Sequence, residues 1–362
     1  MSTLRNFILG KLPQYTRKGR HLHQLLRHSN PQKIINLVQV EWSLRTGKTA
    51  LKCFPYIYII DPCNACTLRC PLCPTGNQTR QRPTKMMGFG CFTSIIDQIR
   101  TYAIEVILHN WGESLLHPRI FDMISYANNA NIGTNISSHF NNITDRMIDQ
   151  IIESGLENLT ISLDGASQEI YEIYRVRGKF DEVISALERL QQRKKETRSP
   201  TPIVEWQFIV MKHNEHQIDE AEAMAKRLGV ERFRVLSVGL PFEHLENLQL
   251  AEQWISDNPR FQGYHPEIML NRGYLYDEPC FYPYRSITIN PDGGVAPCCA
   301  VHHEKWDFGN FQMQSLGDIW NNKHYQSARS LFSDRPINDP IKTACDGCPL
   351  YKQAKHRMST HV

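Results

Sequence analysis

The sequence predicts an α/β fold with a parallel sheet, and three observations carry that reading. Apolar, β-branched runs recur at 56–61, 105–110, 132–138, 158–164, 203–211 and 232–238. Helix-period segments fill the intervals at 91–101, 119–130, 143–153, 167–173 with 179–194, and 215–228. Such strict alternation is the pattern of β/α units joined by crossovers. Six units fall short of the eight that close a TIM barrel.

Each element has its own signal. Residues 56–60, Tyr-Ile-Tyr-Ile-Ile, are the first strand. In 143–153, Met147, Ile148, Ile151 and Ile152 form one apolar stripe, with Asn142 or Thr144 as its cap. Strand five alternates Glu205, Gln207 and Ile209 with Val204, Trp206 and Phe208, so either Glu205 or Gln207 can face a lumen and meet substrate. Residues 195–202 read as a turn, and 241–279 as a linker without clear period that also covers the substrate opening. A strand at 286–289, a turn at 291–294 and a helix at 315–330 follow.

A chain of 362 residues holds one large domain and a smaller one. The expected division is a basic helical extension (1–52), a barrel (53–240), a linker (241–279) and a cysteine-bearing C-terminal domain (280–362). The extension has ten Lys or Arg against one acid, Glu41, which makes it +9 within a chain of net +4. A basic arm suits an acidic peptide, nucleic acid or an anionic surface; its bland reading is a solvated helix across the barrel. Ile34, Ile35, Val38, Trp42 and Leu44 fall near one helical face, which predicts that this face docks. No apolar stretch approaches a transmembrane span and no secretory core is visible, so a reducing cytoplasm is expected, with cysteines as ligands instead of disulfides.

Those cysteines carry the chemistry. Cys66, Cys70 and Cys73 stand at C-x3-C-x2-C directly after the first strand. Soft thiolates select iron–sulfur clusters, zinc or Cu(I). Three ligands on a four-iron cluster leave one iron open to a small molecule. The alternative is a zinc knuckle with Cys63 as fourth ligand. The stretch, with Asn64, Arg69 and Pro74 around it, resembles the signature of the radical S-adenosylmethionine (SAM) superfamily. The resemblance implies an open (β/α)6 partial TIM barrel with its site at the C-terminal strand ends. It also implies a SAM-binding 4Fe-4S cluster on Cys66, Cys70 and Cys73, and cleavage of SAM to a 5′-deoxyadenosyl radical.

Further segments resemble the family's SAM contacts. Trp111-Gly112-Glu113 is similar to the loop that holds the SAM amino group, which assigns Glu113 to the ammonium and Gly112 to close backbone approach, although Trp111 replaces the first glycine. Ser162-Leu163-Asp164-Gly165 is similar to the family's Ser-x-Asp-Gly motif, with Ser162 facing SAM. Arg175, with Arg177 as the second choice, matches the arginine that meets the SAM carboxylate. His109 and His117 are read as structural.

Cys280, Cys298, Cys345 and Cys348 make a second four-thiolate set, for which spacing alone leaves zinc and an iron–sulfur cluster open. The text Gly309-Asn310-Phe311 and Ser315-Leu316-Gly317-Asp318-Ile319-Trp320 resembles a SPASM/twitch extension, implying one auxiliary 4Fe-4S cluster. Cys299 is a possible alternative ligand.

The expected function is a radical SAM oxidoreductase or maturase acting on a peptide or a sugar-like small molecule. It would pass one electron through the auxiliary cluster and draw on a low-potential donor such as flavodoxin or ferredoxin. The alternative is a peptide epimerase using Cys53, Cys63, Cys91 or Cys299 as hydrogen donor. A remote alternative from another class is a zinc-stabilised nucleic-acid-binding protein; nucleic acid is otherwise not an expected partner. The catalytic acid or base, if there is one, is not assigned.

Overall fold

The structure is a computed structural model that describes residues 17–268 and 279–348. Residues 1–16 of the basic extension, 269–278 of the linker and 349–362 of the C-terminal segment lie outside the described residues.

Two helices, α1 (Arg17–His28) and α2 (Pro31–Arg45), precede the sheet. The strands are β1 (Ile57–Ile60), β2 (Glu105–Ile107), β3 (Gly133–Ser138), β4 (Asn158–Ser162), β5 (Ile203–Val210) and β6 (Arg232–Ser237), followed by β7 (Ser286–Ile289) and β8 (Val295–Ala296). Between them lie α3 (Phe89–Ile99), α4 (Ile120–Asn129), α5 (Asp145–Glu153), α6 (Gln168–Tyr174), α7 (Phe180–Thr197) and α8 (Ile218–Leu228). All six expected strands are present, with their ends trimmed by one to three residues.

The eight strands form one unclosed sheet in the order β6-β5-β4-β3-β2-β1-β7-β8, parallel except for the β7–β8 hairpin. The C-terminal hairpin thus extends the barrel sheet: β7 pairs with β1 from Ile57↔Ser286 to Ile60↔Ile289. Register sorts the two faces. The row Ile136, Leu159, Val204 and the row Ile161, Trp206, Phe233 pack outward against the helices. The opposite face carries polar rows: Ser137, Thr160, Glu205, Arg232, and then Ser162, Gln207, Arg234. Glu205 is nearly fully buried and forms an ion pair with Arg234, its Oε1 2.7 Å from Nε; Gln207 Oε1 accepts from the same guanidinium. Both lumen candidates are therefore held by the arginine of the edge strand.

Thr144 caps α5 as expected, accepting from Met147 N at 3.3 Å. Three expectations differ. The helix expected at 315–330 is two helices, α10 (Leu316–Trp320) and α11 (Lys323–Ser330). Asn321 breaks it by pairing with the Leu51 backbone through both amide atoms at 2.8 Å, and Asn322 caps the second piece. The segment read as a linker contains a helix, α9 (Leu248–Trp254), whose Trp254 packs edge-on to Tyr174 at 5.5 Å. Finally, the docked face of α2 is not the apolar one. Ile34, Ile35, Val38 and Trp42 are exposed, while Lys33, Asn36, Val40 and Ser43 are buried. The barrel presents backbone groups there: Lys33 Nζ donates to Asn131 O at 2.7 Å, and Asn36 exchanges hydrogen bonds with Phe54 N and O. Buried backbone groups require partners, so polar side chains take the inner face.

Candidate active site

The loop after β1 is built before any ligand enters. Arg69 donates from Nη1 to Cys66 O at 3.1 Å and to Leu68 O at 2.9 Å. Arg80 donates to Asn64 O and to Thr75 Oγ1. Asn64 spans to the returning chain, donating to Pro83 O and accepting from Lys85 N. These bonds satisfy loop carbonyls that lack a ladder. A Cβ at Gly76 would stand 2.5 Å from Cys70 N and O, so only glycine fits there.

The three thiols share an apolar cluster with Leu68, Leu72, Tyr174, Met211 and Trp254. Burial pushes the Cys66 thiol up to about 12, with Glu113, Cys70 and Cys73 adding to the rise. Burial raises Cys70 as well, and Arg175 opposes it. Without metal these groups hold protons, and iron would displace them on binding. Cys63 turns away: it is fully buried, accepts from Ala65 N at 3.4 Å, and its acidic neighbours are Asp61 and Glu113. Among the described residues, no three His, Cys, Asp or Glu side chains converge on a position for a single metal ion.

The strand ends converge on this loop. Glu113 is buried; its Oε1 accepts from Leu115 N at 3.1 Å and its Oε2 from His139 N at 2.9 Å. It thus caps the short 114–116 turn and still has lone pairs for an ammonium. Gly112 also packs against the cysteine loop. A Cβ there would meet Cys63 O at 1.8 Å, so the close approach is between this loop and the cysteine loop. Ser162 Oγ lies 3.3 Å from Ser137 Oγ at the ends of β4 and β3. Arg175 donates from Nε to the fully buried Asp164 at 2.6 Å, and its Nη1 lies 3.9 Å from Cys70 Sγ. Only the terminal NH2 groups remain for a carboxylate. His117 bridges Met87 O and Arg119 N, and His109 accepts from Ser137 N, which fits the structural reading of both.

The second cysteine set is also gathered. Cys280, Cys345 and Cys348 share an apolar cluster with Tyr282, Leu331 and Phe332. Burial drives the Cys298 thiol well above its usual range, with Cys299, Cys345 and Cys280 contributing negative charge. Cys299 points instead to the Tyr282 hydroxyl at 3.1 Å.

Three residues of this region were not singled out in the sequence. His139 joins Glu113 to the cysteine loop through Thr67 Oγ1 at 3.1 Å. Arg82, 5% exposed, donates to Asp292 at 2.6 and 2.7 Å, to Asp307 at 2.5 Å and to His302 O at 3.2 Å, and so ties the first cysteine region to the C-terminal hairpin. Asp61 is fully buried at the end of β1 and accepts from Trp111 N at 3.1 Å. Burial pushes its carboxyl up to about 7. A lone Arg or Asp has no periodic or spacing signal, so only contacts reveal these roles.

The donor chemistry fits the groups that the sequence resemblance implies. Three soft thiols on one loop leave one iron of a cubane free, and a carboxylate and a guanidinium flank them for the two ends of an amino acid. Comparison with known proteins agrees. The sequence matches the Radical SAM superfamily over residues 60–204 and SPASM, an iron-sulfur cluster-binding domain, over residues 280–349. The chain is 22% identical over 321 residues to the tungsten-containing aldehyde ferredoxin oxidoreductase cofactor-modifying protein of Pyrococcus furiosus, covering 82% of this chain and 87% of that one. It is 26% identical over 308 residues to mycofactocin maturase MftC of Mycobacterium tuberculosis, covering 80% and 75%. Its fold is similar to that of Streptococcus suis SuiB bound to precursor peptide SuiA, with a TM-score of 0.61 at 17% identity over 89% of this chain and 75% of that one. It is also similar to anSMEcpe with bound AdoMet and Cp18Cys peptide, with a TM-score of 0.56 at 13% identity over 85% and 99%. With a loop of three thiols at the mouth of an unclosed parallel barrel, and a second thiol set carried on the same sheet, the chain belongs to the radical SAM superfamily as an enzyme that binds SAM, a 4Fe-4S cluster and auxiliary iron–sulfur at a C-terminal SPASM domain.

Proposed function

We propose that this enzyme is a peptide maturase that removes hydrogen from a residue of a peptide substrate and leaves it oxidised. The observation that carries this reading is the coupling of the two cysteine sets. β1 leads into Cys66–Cys73 and pairs directly with β7 of the hairpin that leads to Cys298, and Arg82 locks the two regions together. When bound, SAM and a reduced cluster would supply radical chemistry able to remove a hydrogen atom from substrate, and an auxiliary cluster would supply an acceptor for one electron.

The chain's own residues hold and screen these groups. Cys66, Cys70 and Cys73 would ligate the first cluster, and Cys280, Cys298, Cys345 and Cys348 one auxiliary cluster. Glu113 would accept from the SAM ammonium and the Arg175 NH2 groups would hold its carboxylate, with Gly112 and Ser162 shaping the loop and strand end beside them. Trp254 and Tyr174 pack edge-on in the same apolar cluster as the three thiols. The lumen rows from Ser137 to Arg234 offer donors and acceptors suited to main-chain amides.

The peptide class is supported by relatives: MftC is a maturase, and SuiB is seen with a precursor peptide. A low-potential donor such as flavodoxin or ferredoxin would reduce the first cluster. No helix among the described residues is long and apolar enough to cross a membrane, and a reducing cytoplasm suits thiolate ligands. Epimerisation is less well supported, because its candidate thiol donors are buried, packed against the core or engaged by a neighbour. Cys53 and Cys63 are buried, Cys91 packs on α3 against the core, and Cys299 is engaged by Tyr282.

The test is mass spectrometry of peptides incubated with reconstituted enzyme, SAM and dithionite in deuterated water. Loss of two hydrogens with 5′-deoxyadenosine formation supports maturation by oxidation. Deuterium at an α-carbon without net loss would mean epimerisation. Turnover of polyols with no peptide modified would overturn the peptide class.

A further inference from the structure

The face of α2 turned away from the barrel is apolar and, among the described residues, uncovered. Ile34, Ile35, Val38 and Trp42 are 51–60% exposed, at positions i, i+1, i+4 and i+8 of one helix. Such a stripe on a helix already docked by its other face is a site for a second helix. The stripe ends at a cavity of about 420 Å³ whose rim includes Trp42 and Gln39. Lys48, Lys52 and Arg335 also line it, and no acid does.

Charge selects the occupant. From residue 34 to residue 52 the charged residues are Arg45, Lys48 and Lys52 against one acid, Glu41, and that acid is taken by Arg285 at 2.6 and 2.7 Å. A second copy of this chain would bring two strongly basic faces together, which like-charge repulsion disfavours. A flat membrane surface would cover the stripe but would not enter the cavity. An acidic amphipathic peptide satisfies both, with apolar residues on the stripe and a carboxylate among the three cations.

We propose that α2 and the adjoining basic cavity bind an acidic, amphipathic helical segment of the peptide substrate, outside the residue that reacts. This rests on the peptide reading above. The surface lies at the far end of the barrel from the cysteines: Asn36 and Glu41 contact Phe54, Tyr56 and Arg285, just before β1 and β7, whereas Cys66–Cys73 follows β1. The segment would therefore act as a tether that raises the effective concentration of the reacting residue.

The experiment measures fluorescence anisotropy of the full chain with a labelled 14-residue peptide bearing leucines on one helical face and glutamates on the other. A twin with lysine for glutamate is the control. The proposal expects binding of the acidic peptide, weakened by salt, and no binding of the twin. An Ile35→Asp/Val38→Asp variant and a Lys48→Glu/Lys52→Glu/Arg335→Glu variant each lose about tenfold or more in affinity. These side chains are exposed or line a cavity, and circular dichroism melting checks that both variants fold. No binding by the acidic peptide, equal binding of the twin, or unchanged affinity in either variant overturns the proposal. So does a stripe-dependent dimer in sedimentation velocity, which assigns the face to a second copy, or stripe-dependent sedimentation with phosphatidylserine vesicles. Binding is read without SAM or turnover, so its failure is separate from failure of the oxidation test.

Discussion

Arg175 stands between Asp164, 2.6 Å from its Nε, and the sulfur of Cys70, 3.9 Å from its Nη1. One guanidinium thus joins the end of β4 to the cysteine loop and lowers the cost of a thiolate at Cys70. Arg175→Ala leaves Asp164 as an unpaired buried charge, a loss of about 3 kcal/mol or more. Arg175→Lys keeps a charge but not the fork. SAM binding by equilibrium dialysis is expected to weaken about tenfold or more in both, with urea unfolding showing the larger stability loss for alanine. SAM binding equal to wild type would remove Arg175 from the site.

Gly112→Ala tests the packing of the two loops. The new methyl group would collide with the Cys63 carbonyl at 1.8 Å, a backbone atom that cannot swing aside. The expected result is reduced iron uptake and a lowered melting temperature. Normal iron content and stability would mean that the loops are not held this tightly.

Arg82→Ala would leave Asp292 and Asp307 without their buried partner. About 3 kcal/mol of stability is expected to go, and limited proteolysis should cut near the 291–307 hairpin first. Uniform cleavage at the wild-type rate would show that Arg82 does not hold the hairpin.

Asp61 gives a pH signature. Burial raises its carboxyl from the ordinary 3.8 to about 7. Between these values the folded chain keeps a proton that the unfolded chain has released, so stability falls as pH rises through the window. A shift of that size corresponds to roughly 4 kcal/mol. In Asp61→Asn the contribution is absent, so urea unfolding of the metal-free protein at pH 5 and pH 8 should show a smaller difference than wild type. Identical differences would place Asp61 in a more polar setting.

The barrel was legible because β/α alternation is a long-range repeat of local signals, and β1 to β6 all lie where the apolar runs are. The cysteines were legible because thiols are rare and their spacing is a ligand pattern. Pairing partners were not: Ser286–Ile289 reads as a strand, but nothing local says that it lies beside β1. The inner face of α2 was misread because hydrophobic patterning ranks Ile34 above Asn36. The deciding demand came from the Phe54 and Asn131 backbone groups, which sit far along the chain. Arg82 and His139 were missed for the same reason.

With Cys66, Cys70 and Cys73 proposed to hold one cubane and Cys280, Cys298, Cys345 and Cys348 another, the decisive measurement is iron and sulfide counting on anaerobically reconstituted wild type and on the Cys66→Ala/Cys70→Ala/Cys73→Ala variant. About eight irons falling to about four is expected, with 5′-deoxyadenosine formation lost. About four irons falling to none would deny the second cluster, and a count that the variant leaves unchanged would deny the first.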